Sequence, residues 1–152
     1  MKISTKTRYG MRFMIDLAQH WGEGCVALKD VAERQGISKK YLEQVVAPLA
    51  SAGLLRVTRG YLGGYELSRA PEEITLADVV SASEDGLELL DCMSGLFACE
   101  RENGCMSQRI WGGLQKAMYD YLDGQTLADI VSQADAVEAE QVGRTLAGDQ
   151  LA

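Results

Sequence analysis

At 152 residues, with 47% hydrophobic and 24% charged residues, the chain has the composition of one ordinary folded domain, or of a small domain with an appendage, and not that of a disordered segment. No run approaches the ~18 apolar residues of a membrane helix, so no membrane partner is expected. The opening Met1-Lys2-Ile3-Ser4-Thr5-Lys6 leads into an amphipathic stretch and not into an apolar core with a cleavage site, which points to the reducing cytoplasm. The formal net charge of −7 conceals a division: residues 1–70 carry 11 Lys/Arg against 6 Asp/Glu, and residues 71–152 carry 4 against 16. A basic face on the first half can meet a polyanion although the whole chain is acidic.

The first helix is predicted over about Thr7 to Trp21, where Tyr9, Phe13, Leu17 and Trp21 recur every four residues. Gly22 and Gly24 break it. A short helix follows from Leu28 to Gln35, with Leu28, Val31 and Ala32 inward and Gly36 in the place of a left-handed C-terminal cap. Ser38 is a good N-cap for a third helix, Lys39 to Ala52, whose apolar side is Tyr41, Leu42, Val45, Val46 and Leu49. Pro48 removes one backbone donor inside it. Two strands, Leu54–Thr58 and Tyr65–Ser68, flank a glycine-rich tip, Arg59-Gly60-Tyr61-Leu62-Gly63-Gly64. Pro71 begins a linker. Thr75 with Asp78 makes a capping box for a helix of roughly Leu76 to Ser83. Leu87 to Gly104 has no period. A longer helix is predicted over about Ser107 to Asp123, and Thr126 with Asp129 forms a second capping box before Leu127, Ile130 and Val131. From Gln133 onward the chain is rich in Ala, Glu and Gln and is expected to be a frayed helix or a disordered tail. The expected division is a head at 1–70, a connecting region at 71–132 and a tail at 133–152.

Two short helices separated by Gly36-Ile37-Ser38 match a helix-turn-helix, and the hairpin after them matches a wing. The exposed start of the second helix would then enter a major groove of double-stranded DNA, presenting Ser38, Lys39, Lys40, Tyr41, Glu43 and Gln44. The lysines suit phosphates, Gln44 can read an adenine edge and Glu43 can accept from a cytosine amino group. Arg59, beside Gly60 on a thin loop, suits a minor groove. The alternative is a helical hairpin with a solvated face.

Four cysteines are present, and Cys92, Cys99 and Cys105 fall as C-x6-C-x5-C. In a reducing compartment such a cluster points to metal binding or redox sensing, or to three small residues packed in a core. Thiolates are soft ligands that suit zinc and iron–sulfur centres, but the spacing is wider than the C-x2-C pairs of a zinc ribbon or a ferredoxin. Cys25 stands apart, and His20, the single histidine, is read as a surface or packing residue. No nucleophile–histidine–acid set is apparent, so no enzyme is expected.

Taken together these motifs resemble the IscR/NsrR-type (Rrf-two family) iron–sulfur winged helix-turn-helix transcription regulators. The similarity rests on Met1 to Gly10, on Ile37-Ser38-Lys39-Lys40-Tyr41-Leu42-Glu43-Gln44, on Gly53-Leu54-Leu55 with the tip Arg59 to Tyr65, and on the positions of the three cysteines, and it covers roughly residues 1–132. It implies a mainly α fold with a small β-hairpin and a long carboxyl-side dimerisation helix. It also implies a homodimer on a pseudo-palindromic operator, and an iron–sulfur cluster (2Fe–2S or 4Fe–4S) held by Cys92, Cys99 and Cys105. Trp111, Leu114, Met118 and Tyr121 form a stripe suited to the dimer contact. The sequence departs from the family at the fourth ligand. Gln108 stands where some members have histidine, and Arg8 where others have an acidic residue. Ser107, Glu100, Glu102, His20 or a small exogenous molecule remain as candidates. Rival readings are a cluster-free thiol switch at Cys99 or Cys105, a small iron–sulfur electron carrier, and a protein-interaction module using the Trp111 face.

Overall fold

The computed structural model describes residues 3–84, 88–93 and 104–137. In chain order these form α1 (Thr5–Gln19), α2 (Leu28–Gln35), α3 (Lys39–Ser51), β1 (Leu55–Thr58), β2 (Gly64–Leu67), α4 (Leu76–Ser83), α5 (Met106–Asp123) and α6, residues 127–137. The fold is mainly α with one antiparallel hairpin, as expected. Cys99 and residues 138–152 of the expected tail lie outside the described residues, while residues 133–137 continue α6.

Local chemistry sets most boundaries. Ser4 caps α1 by accepting from the Thr7 amide at 3.1 Å, so the helix starts two residues before the predicted Thr7. Its last turn tightens: the amides of His20 and Trp21 each bond back three residues, to Leu17 and Ala18, at 3.2 Å. Trp21 therefore lies beyond the helix and is exposed, instead of completing the inward row with Phe13 and Leu17. Gly36 adopts φ 63°, ψ 37°, which lets the chain reverse after α2. The Ser38 hydroxyl then accepts from the Tyr41 amide at 3.3 Å and opens α3, which runs unbroken past Pro48.

The hairpin pairs Leu55 with Leu67 and Thr58 with Gly64. Val26 adds a third, single-residue strand by exchanging both backbone hydrogen bonds with Tyr65 at 2.9 Å. Phe13, Met14 and Leu17 from α1, Leu42, Val45, Val46 and Leu49 from α3, and Leu67 from β2 are buried together. That core continues past Ala70. At Pro71 the structure has no loose linker but a 3-10 turn, Pro71–Glu73, with Pro71 buried, and Ile74, Val79 and Leu127 join the same cluster. Burying these side chains against α1 and α3 is more favourable than leaving them on a hydrated connector.

Both capping boxes form. Thr75 and Asp78 exchange hydrogen bonds at 3.1 and 3.2 Å, and Thr126 and Asp129 do so at 2.8 and 3.2 Å. The two boxes meet in an isolated antiparallel bridge, with Leu76 N–H donating to Gln125 at 2.9 Å and Leu127 N–H to Ile74 at 3.0 Å. At the other end of α4, the Glu84 carboxylate accepts from the Ser4 amide at 2.9 Å and the Thr7 hydroxyl at 2.6 Å. The Thr7 bond, opposed by partial burial and helped by the Ser4 amide, holds the Glu84 carboxyl below its ordinary range.

Candidate nucleic-acid interface and cysteine region

The helix-turn-helix is braced by a charged residue in the core. Asp16, 1% exposed on α1, accepts from Arg34 Nε at 3.0 Å and Nη2 at 2.6 Å and from Gln35 Nε2 at 3.0 Å. Burial alone would raise its pKa. The hydrogen bonds from Arg34 and Gln35 and the Arg34 charge outweigh it, and the carboxyl sits below the ordinary aspartate range. Arg12 adds a second tie, donating to the Gln35 side chain at 2.9 Å and its carbonyl at 2.7 Å. Sequence periodicity did not reveal Asp16 as an inward residue.

With α2 so fixed on α1, the start of α3 is presented to solvent. Lys39, Lys40, Glu43 and Gln44 are exposed along with the capping Ser38. Tyr41 is half-buried: its ring packs edge-on against Tyr9, with centroids 5.7 Å apart. The guanidinium groups of Arg8 and Arg12 lie 5.6 and 5.4 Å from the Tyr9 centroid. This places two α1 arginines next to the exposed start of α3, a neighbourhood that sequence periodicity did not reveal. On the wing, Arg59 is exposed and Gly60 has φ 115°, a left-handed value that glycine adopts readily.

Of the three clustered cysteines, Cys92 and Cys105 are described, and both are free, half-buried thiols. Cys105 occupies the N-cap position of α5, and Cys92 sits in the 3-10 turn Asp91–Met93. That turn is docked on α5. The Leu89 amide donates to Gln115 Oε1 at 3.1 Å, and the Met93 methyl stands 3.8 Å from where a Cβ on Gly112 would lie. One helix thus positions both thiols. Among the described residues no three His, Cys, Asp or Glu side chains form a metal-binding group; Cys99, Glu100 and Glu102 fall outside them. The two thiols fit an iron–sulfur group in donor chemistry. Of the other fourth-ligand candidates, the Ser107 hydroxyl accepts from Trp111 Nε1 at 2.9 Å. His20 lies elsewhere, bonded through Nδ1 to the Asp16 carbonyl at 2.8 Å and lining a cavity of about 230 Å³ with Trp21, Arg56 and Glu66.

No residue of α5 is fully buried. Its inner face is Gln108, Gly112, Gln115, Met118 and Leu122, all half-buried. Trp111, Leu114 and Tyr121 of the anticipated stripe are exposed, Met118 is half-buried, and Ile110 extends the stripe at 69% exposure. Ile110 was missed although it stands one turn from Leu114 and three from Tyr121. No helix among the described residues is long and apolar enough to cross a membrane.

Comparison with known proteins agrees with this arrangement. The Rrf2 family, described as an iron-dependent transcriptional regulator, matches residues 3–133. The protein Rrf2 of Nitratidesulfovibrio vulgaris is 42% identical over 134 residues, covering 88% of this chain and 89% of its own. The structure of CymR, the global cysteine regulator of B. subtilis, is similar with a TM-score of 0.75 at 38% identity, over 88% of this chain and 98% of that one. T. potens IscR is similar with a TM-score of 0.71 at 40% identity, over 88% of each chain. The chain therefore belongs to the Rrf2 family, and it is a helix-turn-helix transcription regulator rather than an enzyme.

Proposed function

We propose that the chain is a cytoplasmic homodimer that grips a pseudo-palindromic operator and adjusts its hold through an iron–sulfur cluster on Cys92, Cys99 and Cys105. The observation that carries the reading is the docking of two free thiols on α5, the same helix that exposes the apolar stripe. Ser38, Lys39, Lys40, Tyr41, Glu43 and Gln44 meet the major groove, and Arg59 and Gly60 the minor groove. Two heads would address half-sites about 34 Å apart. When bound, the cluster supplies a centre that responds to oxidants, small reactive molecules or iron supply. The protein's part is to supply three sulfurs, two of them on or against α5, so that loading of the cluster would bias the placement of that helix.

Full-length protein purified without oxygen is expected to be coloured, with iron and sulfide in comparable amounts. Cys92→Ala or Cys105→Ala should remove the visible absorbance and change operator affinity. Colourless wild-type protein without iron would end the cluster reading. It would favour the second one, a reversible thiol switch at Cys99 or Cys105, which the free state of Cys105 supports.

The dimer is tested separately. Leu114→Glu sets a charge into the middle of the stripe and should leave a monomer in sedimentation velocity. Losing simultaneous engagement of two half-sites should weaken operator binding about 100-fold or more. A dimer that survives both Leu114→Glu and Ile110→Glu would move the interface elsewhere.

A further inference from the structure

The tip of the wing presents the most exposed large apolar side chains among the described residues. Tyr61 is 102% exposed and Leu62 86%. Nothing about the tip lets them fold back. Gly60 takes φ +115°; a Cβ on Gly63 would lie 2.2 Å from the Thr58 carbonyl oxygen and 2.9 Å from the Arg59 carbonyl carbon. The turn is thus drawn so tightly that backbone fills its inside, and the side chains of Arg59, Tyr61 and Leu62 all stand outside. The hairpin below is anchored by its cross-strand register and by the Val26–Tyr65 bridge. A rigid, narrow projection ends in one cation and two apolar groups, with no acidic residue from Arg59 to Tyr65.

Apolar groups held in water on a rigid support are favourable only if a partner covers them. A convex tip needs a concave receptor, and the adjacent guanidinium needs a negative one. The DNA minor groove supplies both: it is about 6 Å wide, which admits single side chains, and its potential attracts arginine.

We propose that Leu62, with Tyr61 beside it, is a wedge that enters the minor groove next to Arg59, partly unstacks a base step and bends the operator. This rests on reading the wing as a DNA contact, and it assigns a role to two residues outside that contact as first read. An apolar wedge cannot read base edges. It selects sequence through deformability, so the step facing the wing should be a flexible pyrimidine–purine step.

The test uses the full chain, prepared without oxygen, and the strongest duplex it selects from a random-sequence library. Bend is read by energy transfer between end labels. Unstacking is read by 2-aminopurine placed at each adenine of the wing-facing stretch. Wild type should bend the duplex and raise the 2-aminopurine signal at one step per half-site. Leu62→Ala should abolish that signal, reduce the bend and weaken binding about 10-fold, with an unchanged salt slope because phosphate contacts persist. Tyr61→Ala should do so in part, and Leu62→Met should retain both signals. The side chain is exposed, so the variants should keep the wild-type circular dichroism. Tight binding by wild type with neither bend nor signal overturns the wedge, as does a Leu62→Ala variant that keeps both. Failure of wild type to select any duplex removes the DNA reading along with the wedge, and the missing selection itself tells the two failures apart.

Discussion

Replacing Arg34 with methionine should cost about 2 kcal/mol of folding stability at neutral pH, less than for a fully buried ion pair because the Arg34 side chain is partly open to solvent. The change keeps side-chain length but strands Asp16, which is almost wholly buried, with Gln35 as its remaining side-chain donor. The expected pH dependence has a definite sign. In the wild type the Asp16 carboxyl is held below its ordinary range, so its contribution is complete above about pH 4, the unfolded value, and disappears as pH falls through the lower folded value. In Arg34→Met both Arg34 contributions that lower the pKa are lost while burial remains, so the folded pKa is expected to rise above that of the wild type. The penalty is then full at neutral pH and shrinks on acidification as the carboxyl takes up a proton. Urea unfolding at pH 7 and at mildly acidic pH should show the gap between the two proteins narrowing; an equal gap at both would show that packing, not charge, is responsible. Asp16→Asn should be milder, because the Arg34 side chain is 38% exposed and can turn to water.

Gly64→Ala should be the second large effect, costing about 3 kcal/mol from overpacking and two lost backbone bonds. A Cβ there would stand 2.4 Å from the Val26 carbonyl oxygen and 2.7 Å from its carbon. Both atoms are backbone, so the Val26–Tyr65 bridge must open. Operator affinity should fall while far-ultraviolet helix content stays. Gly24→Ala provides the contrast. That position has φ +94° but nothing within 4 Å, so only backbone strain of about 1 kcal/mol is at stake. Equal losses in the two variants, measured by thermal unfolding, would refute the role given to the bridge.

The parts of the molecule legible in the sequence are those fixed by chemistry within a few residues. Gly36 and Ser38 mark the turn, and the boxes Thr75–Asp78 and Thr126–Asp129 mark the starts of α4 and α6. The limits Leu28–Gln35 and Leu76–Ser83 follow from the same local rules. What escaped depends on partners distant in the chain. Asp16 meets Arg34, eighteen residues on; Val26 becomes a strand only because Tyr65 is beside it. Helix α5 is the instructive case. Periodicity finds its apolar stripe but not the body that the stripe faces. Within the chain, α5 packs through Gln108, Gly112 and Gln115 along its first half and through Met118 and Leu122 along its second, so its inner side is polar and small only toward the Cys105 end.

The meeting of the two capping boxes has a mechanical consequence. Among the described residues, two backbone hydrogen bonds fasten the Gln125–Leu127 corner to Ile74 and Leu76 at the start of α4, at the end of α5 remote from Cys105. A helix of 18 residues is about 27 Å long. A tilt of about 10° about that corner would carry the Cys105 end through roughly 5 Å. Such a corner would serve as a fulcrum, and α5 as a beam that turns a small rotation at one end into large travel at the other.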